Sequence, residues 1–300
     1  MKKMDFALHP VQPFRLDRTV WALRRRPNNT MDRWEEGTYR RTLVVGTMPI
    51  QVAVRQQSTG LTVTVTGARL PATTQAGVTA ALNRLLGFQV DLQEFYRLAS
   101  QEAKLHQLAR RFRGVKPPRF PGVFEALVNA ITCQQLSLIV GITLLNRLTE
   151  RYGLGGRSEG WAFPRPEELA GAQIRALRAL GYSRSKGQSL IEAARAIQDG
   201  TLDLDGLTTM DDADIVNRLM ELRGVGRWTA EYTLLRGLGR ISQFPGDDVG
   251  AQKSLQRWLG LRRPPDYDHV REVLRKWRPY AGLIYFHLLL DGLGRKGLVA

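Results

Sequence analysis

Apolar and polar residues alternate with a period of two in the first quarter of the chain. The stretch 41–54 holds two β-branched runs around a glycine, and residues 61–65 alternate Leu or Val with Thr. This period is typical of half-buried antiparallel strands, because successive side chains of a strand point to opposite faces. Residues 57–60 (Gln-Ser-Thr-Gly) predict the turn between them, and an apolar helical pattern follows at 72–86. Residues 1–95 therefore predict a small α+β domain.

The rest of the chain lacks this alternation. Beyond Asp91 the apolar residues recur with helical spacing, and breaks rich in Gly and Pro separate about eight predicted helices. The loop 113–121 (Arg-Gly-Val-Lys-Pro-Pro-Arg-Phe-Pro) marks a boundary. The pattern predicts an α+β protein in which an antiparallel sheet precedes a mostly α-helical part.

Charge and composition limit the classes of function that this chain can have. The 300 residues include 44 Lys+Arg and 28 Asp+Glu, a formal net charge of +16. This surplus favours a nucleic-acid partner, although a charge that only maintains solubility is the alternative. No apolar run reaches the roughly 18 residues of a membrane span, and the N-terminus has no signal-peptide pattern, so we expect a cytoplasmic, nucleoid-associated protein. The single cysteine, Cys133, excludes an internal disulfide and a four-cysteine zinc or iron–sulfur site.

The most specific pattern lies between Leu219 and Asp248. Two predicted helices, 214–221 and 227–236, flank the sequence Arg-Gly-Val-Gly at 223–226. Two glycines at this spacing permit a tight connection that leaves backbone amides uncovered at a helix start, where free N–H groups bind phosphate. The alternative is a helix C-cap glycine followed by a packing glycine.

The longer pattern Leu-x-Gly-Val-Gly-x-x-Thr-Ala begins at Leu222, and an aspartate, Asp248, lies 22 residues past Gly226. It resembles the helix-hairpin-helix (HhH-GPD) DNA glycosylase superfamily. The resemblance implies that the hairpin grips the DNA backbone and that Asp248 is the catalytic carboxylate. It also implies that Asp247 supports the start of the next helix. Plain helix N-capping is the alternative for this Asp-Asp pair.

The position two residues after the second hairpin glycine separates subclasses of this superfamily. Members that also cleave the DNA strand have a nucleophilic lysine there, whereas this chain has Trp228, and no lysine lies between Lys186 and Lys253. The resemblance therefore implies a glycosylase without lyase activity. The cysteine count excludes the iron–sulfur subclass, so the bacterial 3-methyladenine DNA glycosylase II (AlkA) type remains.

Other segments resemble the same type. Residues 130–138 resemble its DNA-intercalating segment, 163–170 and 180–187 its middle helices, and 277–287 its last helix. The N-terminal domain resembles the TATA-box-binding-protein-like sheet of this type. The implied division is residues 1–95 for the sheet domain, 119–237 for a helical subdomain that ends in the hairpin, and 96–118 with 238–300 for a helical subdomain that contains the catalytic aspartate.

The resemblance implies base excision repair. Such an enzyme flips a damaged base out of double-stranded DNA and releases 3-methyladenine, 7-methylguanine and related bases by hydrolysis, which leaves an abasic site. Bond cleavage builds positive charge on the deoxyribose, which a fixed carboxylate stabilises while it orients water. No cofactor is required, but the family implies a Na or K ion at the hairpin, bound by the carbonyls of Met220, Leu222 and Val225. We expect a monomer.

The candidates for the base pocket are mostly aromatic: Trp228, Tyr232, Tyr285, Leu289, Phe14 and Trp21. Trp228 and Tyr232 share a helix face, and their spacing alone favours core packing, whereas the resemblance places both in the pocket. Leu289 stands where the best-known type has a further pocket tryptophan, and Tyr285 precedes it by one turn. This exchange predicts a more open pocket.

The candidates for DNA binding are Gln134, Gln135, Gly224, Val225, Gly226, Arg227 and Thr229. Gln135 stands where the best-known type inserts a leucine into the duplex, although a glutamine pair could also only satisfy backbone carbonyls. We interpret His287 as a hydrogen-bonded core histidine and Cys133 as a buried apolar group. We interpret residues 24–26 (Arg-Arg-Arg) as a solvated or DNA-adjacent surface.

Three other functions fit parts of the sequence. A non-enzymatic helix-hairpin-helix protein would have the hairpin and the charge but would not need Asp248. A glycosylase for oxidised or deaminated bases would share the fold, and the oxidised-guanine type with lyase activity would need a lysine at the position of Trp228. A basic helical transcription factor would need a recognition helix with a continuous polar face, which the sequence lacks.

Overall fold

The structure is a computed structural model that describes residues 1–156 and 160–299. Its N-terminal sheet has five strands: β1 (Lys2–Leu8), β2 (Arg33–Glu35), β3 (Thr38–Val45), β4 (Met48–Gln57) and β5 (Gly60–Gly67). Their order is β1-β5-β4-β3-β2, and all neighbouring strands are antiparallel. The predicted turn joins β4 to β5, with Gln57 opposite Gly60. The expected α+β class is confirmed, whereas β1 and β2, both at sheet edges, are additions to the prediction.

One face of this sheet is buried by two helices, α1 (Leu16–Arg24) and α2 (Thr74–Leu86). The alternate valines of β4 and β5, among them Val54 and Val63, are fully buried there. The threonines between them remain partly accessible, as the period of two requires.

Twelve α-helices follow in the described part of the chain: α3 (Gln93–Ser100), α4 (Ala103–Arg111), α5 (Val123–Cys133), α6 (Leu138–Tyr152), α7 (Pro166–Ala170), α8 (Ile174–Ala179), α9 (Arg184–Gln198), α10 (Asp212–Met220), α11 (Arg227–Thr233), α12 (Val249–Leu259), α13 (Tyr267–Leu274) and α14 (Ala281–Gly294). The expected number, about eight, was too low because helices as short as α7 and α8 show no full apolar period. The expectation of no strand beyond Asp91 was also wrong, since β6 (Leu154–Gly156) and β7 (Gly160–Ala162) form a short hairpin.

The apolar side chains form three clusters. The first contains residues of α5, α6 and α9–α11, and the second contains residues of α3, α4 and α12–α14. The third lies between the sheet and its two helices. These clusters overlap the three predicted parts, whose boundaries themselves stay predictions. The hairpin contributes Val225 to the first cluster, and the loop before α12 contributes Phe244 to the second. Among the described residues, no helix has both the length and the apolar character to cross a membrane.

A buried ionic group joins the sheet to the helical part. Arg41 of β3 donates from Nη1 to Oδ1 of Asp32 at 2.7 Å and from Nη2 to both carboxylate oxygens of Glu125 on α5 at 2.6 Å. The hydroxyl of Tyr39 donates to the same oxygen of Asp32 at 2.8 Å. All four side chains are buried. This group fixes the sheet domain on α5, because a buried charge needs a partner at close range.

Candidate active site

The predicted hairpin is present between α10 and α11. Gly224 has a φ of +74°, and a Cβ at this position would lie 2.3 Å from Oγ of Ser189, so only glycine fits. Gly226 is the N-cap residue of α11, and a Cβ built on it would have no atom within 4 Å. The start of α11 is therefore accessible at Gly226, and free N–H groups at the start of a helix favour an anion.

Asp248 is held by three neutral donors. Its Oδ1 accepts a hydrogen bond from the backbone amide of Ala251 at 2.8 Å, so it is the N-cap of α12. Its Oδ2 accepts from the hydroxyl of Tyr285 at 3.0 Å and from Nε1 of Trp228 at 3.3 Å. One oxygen thus caps a helix while the other faces two aromatic rings. The two interpretations of this residue, helix cap and reactive carboxylate, are compatible.

The neighbouring Asp247 does not have the role that the resemblance implied. Its side chain is exposed, and the cap of α12 is formed by Asp248. A single residue supplies both the cap and the inward-facing oxygen because α12 begins directly after it. The loop before α12 is held by a different residue.

Glu231 on α11 holds the loop that contains Asp248. Its Oε2 accepts from the backbone amide of Gly246 at 3.0 Å, and its Oε1 accepts from the hydroxyl of Tyr267 at 2.7 Å. Burial raises the pKa of Glu231. Glu231 is not among the residues predicted from the sequence, although it is the one acid in the otherwise uncharged stretch 229–235, which is a signal of a buried polar contact.

The rings at the site form two groups, which the carboxylate of Asp248 joins through Trp228 and Tyr285. The ring centres of Trp228 and Tyr232 are 5.4 Å apart, and Tyr285 packs edge-on against Phe244 at 5.5 Å. Burial and the charge of Asp248 raise the pKa of Tyr285 well above its usual value, so its hydroxyl stays protonated and donates. Trp228 and Tyr285 thus both present a polar hydrogen to the same carboxylate oxygen.

The other pocket candidates belong to or pack against the second and third clusters. Leu289 is half-buried one turn after Tyr285 and packs on the second cluster. Phe14 is buried in the third cluster, and Trp21 is half-buried against the second, with the guanidinium of Arg24 5.0 Å from its ring centre. Their place in a base pocket stays a prediction.

The predicted DNA-intercalating turn follows α5. The side-chain amide of Gln134 donates to the carbonyl of Gly224 at 2.9 Å and to Oγ1 of Thr229 at 2.5 Å, which ties the turn to the hairpin. Lys186 donates to the carbonyls of Thr132 and Gln134 at 2.8 and 2.5 Å. Gln135 is exposed with a φ of +53°. Gln134 thus satisfies a backbone carbonyl, which was the alternative interpretation of the glutamine pair. Gln135 instead projects outward.

The hairpin candidates differ in accessibility. Thr229 is 1% exposed, so its side chain serves the contact with Gln134 and cannot reach DNA. Arg227 is exposed, and its guanidinium lies 4.3 Å from the ring centre of Tyr267. The amide of Val225 donates to the carbonyl of Leu222 at 3.1 Å.

The interpretation of residues 24–26 as a surface was wrong for two of the three arginines. Arg24 and Arg25 are 6% and 5% exposed. Arg25 follows the last residue of α1 with a φ of +62°, which turns its side chain into the molecule. Its Nη1 donates to the hydroxyl of Tyr232 at 2.9 Å, and its Nη2 donates to Oδ1 of Asn129 at 2.6 Å.

The interpretation of His287 agrees with the structure, and that of Cys133 agrees in part. His287 is fully buried, its Nδ1 donates to the carbonyl of Leu283 at 2.8 Å, and burial lowers its pKa to about 4. Cys133 is half-buried rather than buried, but desolvation of its thiol raises the pKa of that group, which disfavours the nucleophilic thiolate.

The sequence model of the HhH-GPD superfamily base excision DNA repair proteins matches residues 128–279, just over half of the chain. The chain belongs to this superfamily. Membership accounts for the hairpin and for the aspartate at the start of α12, both of which lie inside the matched segment.

Curated HhH-GPD relatives match over part of their length. The DNA-3-methyladenine glycosylase of Bacillus subtilis is 31% identical over 201 residues, 66% of this chain and 66% of its own. The DNA-3-methyladenine glycosylase 2 of Escherichia coli is 31% identical over 177 residues, 58% of this chain and 60% of its own. Another Bacillus subtilis relative is 34% identical over 167 residues, 55% of this chain and 58% of its own. The chain thus spans about three fifths of the length of these relatives.

Solved HhH-GPD structures match over nearly the whole chain. The 3-methyladenine DNA glycosylase from Archaeoglobus fulgidus has a TM-score of 0.82 and 28% identity, with 97% of this chain and 98% of that chain covered. An 8-oxoguanine glycosylase/lyase of Clostridium acetobutylicum in complex with double-stranded DNA has a TM-score of 0.75 at 17% identity, with 98% of each chain covered, and shows the shared fold alone.

Proposed function

We propose that this chain is a monofunctional DNA glycosylase that releases alkylated bases from double-stranded DNA by hydrolysis. The proposal rests on one observation: the carboxylate of Asp248 accepts hydrogen bonds from the side chains of Trp228 and Tyr285. This aspartate follows, in the sequence, a hairpin of the kind that binds the DNA backbone. The names of the relatives support 3-methyladenine and similar bases as substrates.

The fixed carboxylate suits the chemistry of this bond cleavage. Release of the base leaves positive charge on the deoxyribose, and Oδ2 of Asp248 would lie against C1′ to stabilise it. The same oxygen would orient the attacking water. Because Trp228 and Tyr285 fix the oxygen in place before DNA binds, little reorganisation is needed during the reaction.

An alkylated purine needs little help to leave. Methylation at N3 or N7 makes the ring cationic, so the departing base becomes neutral without a general acid. Trp228, Tyr232 and Tyr285 would bind this flat cation by their electron-rich faces. Leu289, Phe14 and Trp21 would line the edge of the same pocket.

The hairpin would hold the DNA backbone. The amides of Gly224 and Gly226 and the side chain of Arg227 would contact phosphates, and Gln135 would fill the space left by the flipped base. A Na or K ion bound by the carbonyls of Met220, Leu222 and Val225 would reinforce this contact. These carbonyls lie at and after the end of α10, where a helix carries partial negative charge.

Base release without strand cleavage tests the proposal. Purified protein is incubated with methylated duplex DNA, and free bases and strand breaks are measured separately. We expect release of methylated purines, with breaks only after alkali, because no lysine occupies the position of Trp228. A covalent adduct trapped by borohydride would contradict the monofunctional mechanism, and intact bases after incubation would contradict the glycosylase itself.

A further inference from the structure

Five arginines form a basic patch at the start of α1 and the end of α4. This α1–α4 patch consists of Arg15, Arg18, Arg110, Arg111 and Arg113. Residues 1–114, which contain all five, carry 18 Lys+Arg and 8 Asp+Glu, hence a net charge of +10 out of the +16 of the chain. Most of the positive charge therefore lies outside the part of the sequence that contains the hairpin and Asp248.

Contacts within the patch bring like charges close together. Nη1 of Arg18 donates to the carbonyl of Arg111 at 2.6 Å, and the guanidinium carbons of the two residues lie 5.9 and 5.1 Å from the ring centre of Phe112. The backbone amide of Arg15 donates to the carbonyl of Gly114 at 2.8 Å. Burial lowers the pKa of Arg18, and the positive charges of Arg15 and Arg111 lower it further. The patch is thus one concentrated region of positive charge.

Only part of this charge is neutralised by acids. Asp17 pairs with Arg15 at 2.7 Å, and Asp291 of α14 pairs with Arg111. Within the described part of the chain, no carboxylate lies within ion-pair distance of the other three arginines: Arg18, Arg110 and Arg113. The last two are exposed, so an anion from solution can reach them.

The helix ends explain only some of these positions. Arg110 and Arg111 lie in the last turn of α4, where the partial negative charge of a helix end favours cations. Arg15 is the N-cap residue of α1 and Arg18 follows in the first turn, where the partial positive charge disfavours cations. A placement that is unfavourable within the chain indicates a partner outside it.

The patch lies at a distance from the candidate active site. Arg15 precedes α1 and Arg25 follows it at the end near the site, and the helix separates them by about 15 Å. On α14, Tyr285 binds the candidate catalytic carboxylate, whereas Asp291 at the patch lies about 9 Å further along the helix. Residues 281–288 of α14 are all buried. Core side chains therefore lie between the patch and the site, and a duplex held by the hairpin would have to pass around them.

We propose that the α1–α4 patch binds the phosphate backbone of a second segment of double-stranded DNA while the hairpin holds the first. Guanidinium groups bind phosphate oxygens in pairs, and such contacts need no particular base sequence. Double-stranded DNA is the partner because the chain belongs to a superfamily of base excision DNA repair proteins. A protein that holds two segments can pass from one to the other without leaving both. The inference rests on the DNA binding of the function proposed above but not on its chemistry.

The number of duplexes bound by one protein molecule tests this inference. Short duplexes of about 12 base pairs, little more than one helical turn, carry either a donor or an acceptor dye and are mixed in excess with the wild type. We expect sedimentation to show one protein with two duplexes, and energy transfer between the two dyes. Because phosphate binding releases counterions, the affinity for the second duplex should fall steeply as salt is raised.

Two matched double variants locate the second site. Arg110→Gln with Arg113→Gln should lower the affinity for the second duplex about tenfold or more, and the slope of log affinity against log salt by about 2, while the first duplex binds as before. Lys2→Gln with Arg69→Gln removes two exposed charges from the sheet domain and should change neither affinity. Arg110→Glu alone decides the question if thermal melting shows that the patch variant does not fold.

The outcomes separate this inference from the proposed function. A single duplex per protein at every salt concentration overturns the second site. Complexes of two proteins with two duplexes overturn it as well, because a protein pair would then join the duplexes. An equal loss of affinity in the patch variant and its control also overturns it, since net charge alone would be responsible. Base release from methylated duplexes is measured in parallel, and its absence would refute the glycosylase function without changing the number of duplexes bound.

Discussion

Two places in the molecule hold acids with opposite kinds of partner. Where the sheet meets α5, Asp32 and Glu125 share the guanidinium of Arg41 at 2.7 and 2.6 Å. At the candidate active site, Asp248 accepts from an indole, a phenol and a backbone amide. Among the described residues, the first two acids are paired with a permanent cation, and the third faces only neutral donors.

The contrast separates a structural use of charge from a chemical one. A carboxylate that a guanidinium already neutralises stabilises the fold but attracts little else. Neutral donors fix the direction of a carboxylate without cancelling its charge, so the charge remains available to a cation that exists only during the reaction. The partners of an acid are therefore more informative about its function than its burial.

Removal of Arg41 should have the largest effect. In Arg41→Met two buried carboxylates lose their cation, and we expect the free energy of unfolding to fall by about 3–5 kcal/mol. Urea unfolding followed by tryptophan fluorescence measures this loss. Arg40→Met, a change of the exposed neighbour on β3, is the control. Equal stability of the two variants would mean that the buried ionic group does not hold the interface.

Asp248→Asn should show the converse behaviour. Asparagine caps helices as well as aspartate does, so stability should change little, whereas loss of the charge should slow base release about 10²–10³-fold. Single-turnover release and DNA affinity are measured together, and affinity should be retained. Asp247→Asn is the matched control, and similar rates for both variants would reject Asp248 as the catalytic carboxylate.

Glu231→Gln should have an intermediate effect. The amide can satisfy one of its two donors, Gly246 or Tyr267, but not both as the carboxylate does. An unsatisfied buried donor costs about 1–3 kcal/mol, so we expect the loop to shift and release to slow about tenfold with DNA affinity unchanged. If release is unaffected, the loop is fixed by other contacts.

His287 adds a third class of buried group, one held neutral, whose effect is the smallest near neutral pH because it appears only on acidification. Burial lowers its pKa to about 4 in the folded chain, whereas the unfolded chain binds a proton below about 6.5. Stability should therefore fall as the pH decreases from about 6.5 towards 4, by up to about 1.4 kcal/mol per unit. Unfolding at several pH values tests this. His287→Gln should flatten the dependence, whereas a change of the exposed His269 should not.

Much of the fold and part of the site could be predicted from the sequence. Alternation identified the central strands because both of their faces have fixed environments. It missed β2, which has three residues, too few to show a period. The hairpin and Asp248 were found because their spacing lies within one continuous stretch of chain.

The residues that were missed depend on contacts distant in sequence. Arg25 and Tyr232 are 207 positions apart, and Arg41 and Glu125 are 84 apart. The chain has 44 basic residues. For an arginine in a run of three, nothing in the neighbouring sequence shows whether its guanidinium is buried or solvated. Only the assembled fold shows which acceptors it meets.

If the chain has the proposed function, the turn at Gln135 has a consequence for how damaged bases would be found. Lys186 and Gln134 anchor the turn to the backbone on both sides, so its shape is set when the chain folds. A preorganised probe loses little conformational entropy at each encounter with DNA, which permits brief and repeated trials along a long duplex. Such an enzyme would use its binding energy to open a base step that damage has weakened, and it would dissociate quickly from intact base pairs.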